Sequence, residues 1–285
     1  MRRIISGFCA LVIFVSTCSG YIVVEKDVTK EEILSFNFTG LEDELLEYID
    51  YVRKNSVCGF NVTMPHKKDV MEYLDDIDDE ARLYNSVNTV KNNDGRLIGY
   101  NTDAEGYKMS LSEIGVTLKG SSITINGAGG AASAISIKAV LEGAKSITVL
   151  NKSLSRAKEL AENVAKKTGY HIKTEIFSIE TAKETCKDTD LFINATPLGM
   201  HGIDDDYSDL SFLDVLKDSA TVSDLVYNPA KTKILKYAES IGIKNIINGL
   251  GMLIYQGLIA DKIYFNKDFD FKSLKQIIEE KYYNM

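Results

Sequence analysis

Ser122-Ile123-Thr124-Ile125-Asn126-Gly127-Ala128-Gly129-Gly130-Ala131-Ala132 decides the fold. Its first five residues form a short, largely β-branched run, which suits a strand buried in a parallel sheet. A glycine turn follows at once, then a small-residue helix to Leu141, then a second strand at Ser146-Ile147-Thr148-Val149-Leu150. This strand, turn, helix and strand order is the context that a G-x-G-x-x-G/A motif requires. Gly127 allows the tight turn, Gly129 lets the backbone approach a pyrophosphate, and Ala132 allows close packing of helix on sheet. N–H groups at the helix start, along Gly127, Ala128, Gly129, Gly130 and Ala131, then face phosphate anions. A glycine run alone is only a turn; in this setting it predicts a dinucleotide site.

The end of the second strand separates the two nicotinamide cofactors. An NAD site usually places an acid about 20 residues after the glycines, bonding the ribose hydroxyls. Here the segment is Asn151-Lys152-Ser153-Leu154-Ser155-Arg156, with two cations and no acid. A 2′-phosphate is attracted by Lys152 and Arg156, so the expected cofactor is NADP.

The rest of the chain fits an α/β protein. Its 285 residues suggest two domains, and 45% hydrophobic with 26% charged residues is ordinary for a globular protein. The net charge of −8 argues against nucleic acid as main partner. Cys9, Cys18, Cys58 and Cys186 form no C-x-x-C pair, and His66, His171 and His201 are scattered, so free thiols and no metal site are expected. Tyr21–Val24 reads as a strand, Thr29 with Glu32 as a capping box, Leu41–Lys54 as an amphipathic helix and Val57–Val62 as a strand. Asn93-Asp94-Gly95 between two apolar runs signals a hairpin.

The amino terminus is discordant. Met1-Arg2-Arg3 is basic, and Ile4–Val24 carries no charge. Alone it resembles a short signal peptide; a buried parallel strand is the plainer alternative, and a membrane anchor would be short and interrupted.

Three polar clusters lie outside the nucleotide unit: Asn61-Val62-Thr63-Met64-Pro65-His66-Lys67, Asn88-Thr89 and Asn101-Thr102-Asp103. Each alone could only make turns. A cation is disfavoured at a helix start, however, and a lysine held there near an aspartate can work as an acid–base group.

Six blocks now make a resemblance specific. They are Gly59–Lys67, Ser86–Val90, Gly99–Asp103, Ile193–Met200, Asp224–Pro229 and Asn248–Gln256. From about Tyr21 onward the chain resembles the NADP-dependent shikimate dehydrogenases. That resemblance implies reversible hydride transfer between NADPH and 3-dehydroshikimate, giving shikimate for aromatic amino-acid (chorismate) biosynthesis. It makes Lys67 and Asp103 the catalytic pair, and Thr63, Asn88, Asn101, Tyr227 and Gln256 the substrate contacts. Asn194, Ala195, Thr196 and Gly249 would follow the cofactor, with Met252 near its nicotinamide; core packing is the plainer reading of Met252. His171 and His201 match nothing catalytic and are expected at the surface. The implied fold is α/β, with a Rossmann-type nucleotide domain (104–240) inserted in a smaller α/β catalytic domain (1–103 plus 241–285). The implied site lies in a cleft whose closure excludes water. A small-molecule substrate, a monomer or homodimer, no membrane partner and a cytoplasmic location follow from the same resemblance.

One family element is not matched. An amino-terminal loop of the H-S-x-S-P kind, whose serines bind the substrate carboxylate, has no counterpart before Tyr21. A frameshift or misassigned start, a divergent first strand and an export signal are the three readings of residues 1–20; export fits worst with a cytoplasmic reductant. The loss of two hydroxyl bonds to a carboxylate would weaken shikimate binding by roughly 2–5 kcal/mol. The alternative functional reading is therefore a non-catalytic or quinate-type NADP-binding relative. Lys67, Asp103, Asn88 and Gln256 favour the enzyme.

Overall fold

The stretch Ser122–Asn126 is a strand buried along its whole length. It is the centre of a parallel sheet in a computed structural model that describes residues 21–26, 34–37, 42–54, 57–63 and 66–283. The signal, strand and anchor readings of residues 1–20 and the Thr29–Glu32 capping box lie outside the described residues. The chain divides into two units, one ending at Thr102 and resuming at Gln256, the other Asp103–Tyr255.

The first unit contains β1 (Tyr21–Lys26), β2 (Leu34–Asn37), α1 (Glu42–Lys54), β3 (Val57–Asn61), β4 (Asp76–Ile77), α2 (Asp79–Tyr84), β5 (Thr89–Asn93) and β6 (Arg96–Tyr100). Its strand order is β2-β1-β3-β5-β6-β4, antiparallel except for the β4–β6 pair. In α1, Leu45, Tyr48, Ile49 and Val52 recur at helical spacing. That stripe packs in one core with Val57, Phe60, Val70, Val87, Val90 and Leu97. The Asn93-Asp94-Gly95 hairpin forms as expected: Asn93 faces Arg96, and Asp94 and Gly95 both have positive φ, 52° and 90°.

The second unit contains α3 (Asp103–Glu113), β7 (Ser122–Asn126), α4 (Gly130–Leu141), β8 (Ser146–Asn151), α5 (Leu154–Thr168), β9 (Lys173–Ile176), α6 (Ile179–Cys186), β10 (Leu191–Asn194), β11 (Thr221–Asp224), α7 (Lys233–Ser240) and β12 (Asn245–Ile247). Its sheet is parallel throughout, in the order β12-β11-β10-β7-β8-β9. The order reverses direction beside β7, which is the topological switch point of a dinucleotide fold. The core beside it gathers Phe192, Tyr207, Phe212, Leu213, Val222 and Leu235.

The expected boundary at residue 240 is corrected. β12 pairs in parallel with β11, so this unit continues to Tyr255. The division falls inside α8 (Leu250–Phe265), and α9 (Phe271–Tyr283) follows in the first unit.

Gly59 is a steric constraint within the first unit. A Cβ there would lie 2.5 Å from two Tyr264 ring atoms and 2.5 Å from the Val90 carbonyl oxygen. Backbone cannot yield as a flexible side chain does. Gly59→Ala is expected to destabilise the protein by about 1–3 kcal/mol, seen as a lower melting temperature in thermal unfolding; an unchanged melting temperature would contradict this packing.

Candidate functional site

The site residues fall on both units. In the second, Gly127 directly follows β7 with φ of 119°, a backbone that favours glycine. A Cβ there would meet the Ala195 carbonyl oxygen at 2.7 Å, so the turn is pressed against the end of β10. Gly129 and Gly130 have open space where a Cβ would stand. Gly129 precedes α4 without a side-chain cap, and the first turn of α4 holds no acid. Ala132 is fully buried. The result is an uncapped helix start behind open glycines, which fits the pyrophosphate of a dinucleotide.

At the end of β8, the Asn151 amide donates to the Ser153 carbonyl at 2.9 Å, and the Ser153 and Ser155 hydroxyls lie 2.8 Å apart. Lys152 and Arg156 are exposed. Lys152 is also paired with Asp205 at 3.0 Å, a partner 53 residues away that the local sequence does not announce. Thr196 is held by Asn194: its N–H and hydroxyl both donate to Asn194 Oδ1, at 3.1 and 2.6 Å. Gly249 is required by backbone approach, since a Cβ would lie 2.0 Å from the Leu225 carbonyl oxygen. Met252 and Tyr227 are half-buried.

The first unit gathers the other cluster at the ends of β3, β5 and β6. Asn88 is its centre. Its amide nitrogen donates to Thr102 Oγ1 (2.9 Å) and Gln256 Oε1 (3.2 Å), and its Oδ1 accepts from the Thr102 N–H (2.8 Å). Asn61 donates to the Asn88 carbonyl (3.2 Å) and accepts from the Tyr264 hydroxyl (2.9 Å). The Asn101 amide donates to the Ser86 carbonyl at 2.9 Å. The turn carrying half-buried Lys67 is pinned to the same place, because the Val87 N–H donates to the Lys67 carbonyl at 2.8 Å. Thr63 is half-buried beside it, and Asp103 is the first residue of α3 in the other unit. Asn88 is 2% exposed, with its amide engaged by protein groups, which makes it the residue that holds Thr102 and Gln256.

His171 and His201 are exposed. Cys186 is a buried thiol, and burial pushes it up to about 12. Among the described residues no cluster of three His, Cys, Asp or Glu could hold a metal ion, and no helix is long and apolar enough to cross a membrane.

Comparison with known proteins places this arrangement. The family model for the shikimate dehydrogenase substrate binding domain matches residues 25–90, and the model for shikimate / quinate 5-dehydrogenase matches residues 109–202. The first match overturns the expectation that the amino-terminal substrate-binding block goes unmatched. The matched span includes β2, α1, β3, β4 and α2. The chain is 46% identical to the shikimate dehydrogenase (NADP(+)) of Alkaliphilus metalliredigens over 242 residues, 84% of each chain. It is similar to the crystal structure of a shikimate dehydrogenase in complex with NADP+, with TM-score 0.76 and 37% identity over 86% of this chain and 83% of that one. It is also similar to shikimate 5-dehydrogenase from Listeria monocytogenes in complex with shikimate and NAD, with TM-score 0.75 and 36% identity over 85% and 84%.

One buried carboxyl underlies the nucleotide side. Asp224, at the end of β11, is fully buried. Burial pushes its carboxyl up to about 6, and the Asp206 charge adds to this. Bonds from the Thr232 hydroxyl (2.5 Å), the Val226 N–H (3.0 Å) and the Asn194 amide (2.9 Å) oppose the rise. The folded protein therefore holds this proton more tightly than the unfolded chain, whose carboxyl titrates near 3.8. The stabilisation is complete below about pH 4 and is lost as pH rises through about 6, a change of about 3 kcal/mol. Asp224→Asn keeps the shape and stays neutral, with the Thr232 hydroxyl turning to accept. The variant should gain about 3 kcal/mol on the wild type between about pH 4 and 7, measured by urea unfolding across pH; a constant gap would show that Asp224 titrates normally.

Proposed function

This chain belongs to the shikimate dehydrogenase family, and we propose that it is an NADP-dependent oxidoreductase interconverting 3-dehydroshikimate and shikimate. The 46% identity over 84% of both chains to a shikimate dehydrogenase (NADP(+)) carries this reading. The uncapped helix behind Gly127–Gly130 and the cations at Lys152 and Arg156 support it.

The cofactor NADPH, when bound, supplies the hydride. Gly127, Ala128, Gly129, Gly130 and Ala131 hold its pyrophosphate; Asn151, Lys152, Ser153 and Arg156 hold the adenosine side with its 2′-phosphate. Ala195, Thr196, Gly249 and Met252 border the nicotinamide side. As the ketone carbon accepts hydride, its oxygen gains negative charge and needs a proton. Lys67 gives that proton, or takes it back in the oxidation direction, and Asp103 orients and polarises the ammonium. Thr63, Asn88, Asn101 and Gln256 bond the substrate hydroxyls, and Tyr227 lies beside the substrate and the nicotinamide. Asn88 fixes Gln256 and Thr102 so that these groups need no reordering when substrate arrives. The reaction's reductant makes a cytoplasmic location the natural one, and a monomer or homodimer suffices for this chemistry.

The test uses purified protein, NADP, and shikimate or quinate, followed at the NADPH absorbance band. Shikimate should be oxidised, and Lys67→Ala and Asp103→Asn should each lower kcat by about 10²–10⁴. NADP affinity, measured by calorimetry, should change little. Tight NADP binding without turnover of either substrate would overturn the enzyme reading; full turnover in Lys67→Ala would overturn the catalytic assignment.

A further inference from the structure

The Lys152–Asp205 pair has a consequence for cofactor choice, which rests on the NADP reading above. Of the two cations assigned to the 2′-phosphate, Lys152 has its ammonium 3.0 Å from Asp205 Oδ2. Arg156 has no acidic residue within ion-pair distance among the described residues. The Asp205 side chain is exposed, but its backbone is anchored. The Gly199 N–H donates to its carbonyl at 3.1 Å. Two residues on, Tyr207 is buried, with its hydroxyl accepting from Asn126 (2.6 Å) and donating to Asn194 (2.9 Å). The Lys233 ammonium donates to the Tyr207 carbonyl. The chain that follows Asp205 is thus tied through Tyr207 to the ends of β7 and β10, where the nucleotide motif begins.

We propose that Asp205 is a specificity-determining residue that weakens the preference for NADP over NAD. Its carboxylate neutralises Lys152, so a 2′-phosphate must share or displace an anion already in place. A phosphate monoester carries about −1.5 to −2 charges at neutral pH, so it meets repulsion from Asp205 as well as competition for the ammonium. NAD has only a hydroxyl at that position and meets neither. The pair itself is exposed on both sides and contributes little to folding. Removal of Asp205 therefore acts on binding rather than on stability.

The test is calorimetric titration of the full chain with NADP and with NAD, for wild type, Asp205→Asn, Lys152→Gln and the double variant. Asp205→Asn should tighten NADP by about three- to tenfold and leave NAD within about twofold. In the Lys152→Gln background the same substitution should have less than half that effect. The gain should shrink in about 0.5 M salt, where screening is short-ranged. Unchanged or weaker NADP binding in Asp205→Asn, with Lys152→Gln still weakening NADP, would overturn the role of Asp205 and leave the NADP site intact. Equal tightening of NADP and NAD would reduce the effect to general charge and overturn it also. Lys152→Gln without effect on NADP would overturn the placement of the 2′-phosphate and this proposal together.

Discussion

The Tyr207 hydroxyl, shared between Asn126 and Asn194, holds the nucleotide side of the molecule in place. A parallel sheet exposes its chemistry at the carboxyl ends of its strands, and those ends need their polar groups satisfied. Here they satisfy one another. Asn126 ends β7, Asn194 ends β10, Asp224 ends β11, and one chain of side-chain bonds runs from Asn126 through Tyr207 and Asn194 to Asp224 and Thr232. Every member is buried, so a missing partner would leave an unpaired polar group at a cost well above the value of one bond. The network thereby fixes the turns above it, which carry Thr196 and Val226.

The other unit solves the same problem with an amide rather than a phenol. Asn88 bonds both ways with Thr102 and reaches Gln256, and Asn61 ties the neighbouring strand to Tyr264. The strand ends here are antiparallel and joined by short connections, so one asparagine can bridge them. In both units the polar residues at strand ends hold one another first, and their exposed neighbours are left for a ligand.

Much of this was legible from local pattern. A strand buried on both faces needs a continuous apolar or β-branched run, which Ser122–Asn126 has, and an amphipathic helix needs the spacing of Leu45, Tyr48, Ile49 and Val52. Asp94-Gly95 supplies the two positive φ angles of the hairpin. The failures are long-range. Nothing near Lys152 announces Asp205, and nothing near Asn126 announces Tyr207. The boundary expected at 240 missed β12, a three-residue strand too short to show a period. Gly249 was legible as part of a motif, but the reason for glycine there is contact with the Leu225 carbonyl, which only the folded backbone shows. The substrate-binding domain is carried by residues after Tyr21, where its sheet and polar cluster lie, and so does not depend on a motif before them.

The acidic balance of the chain sharpens the electrostatics of the nucleotide side. A protein with net charge −8 that binds a cofactor with several negative charges cannot rely on its overall field. It does not have to, because at physiological salt charges more than about 8 Å apart are largely screened. What matters is the local set, and there the acids are withheld. The first turns of α2, α3 and α6 carry acids, as favoured by the helix dipole, whereas the first turns of α4 and α5, like those of α7, α8 and α9, carry none. Neither α4 nor α5 has a side-chain cap. These two helices begin at the ends of β7 and β8, where the phosphates are expected. The two helix starts that an anionic ligand would use thus hold no acid of their own, and Asp205 reaches Lys152 from outside both helices.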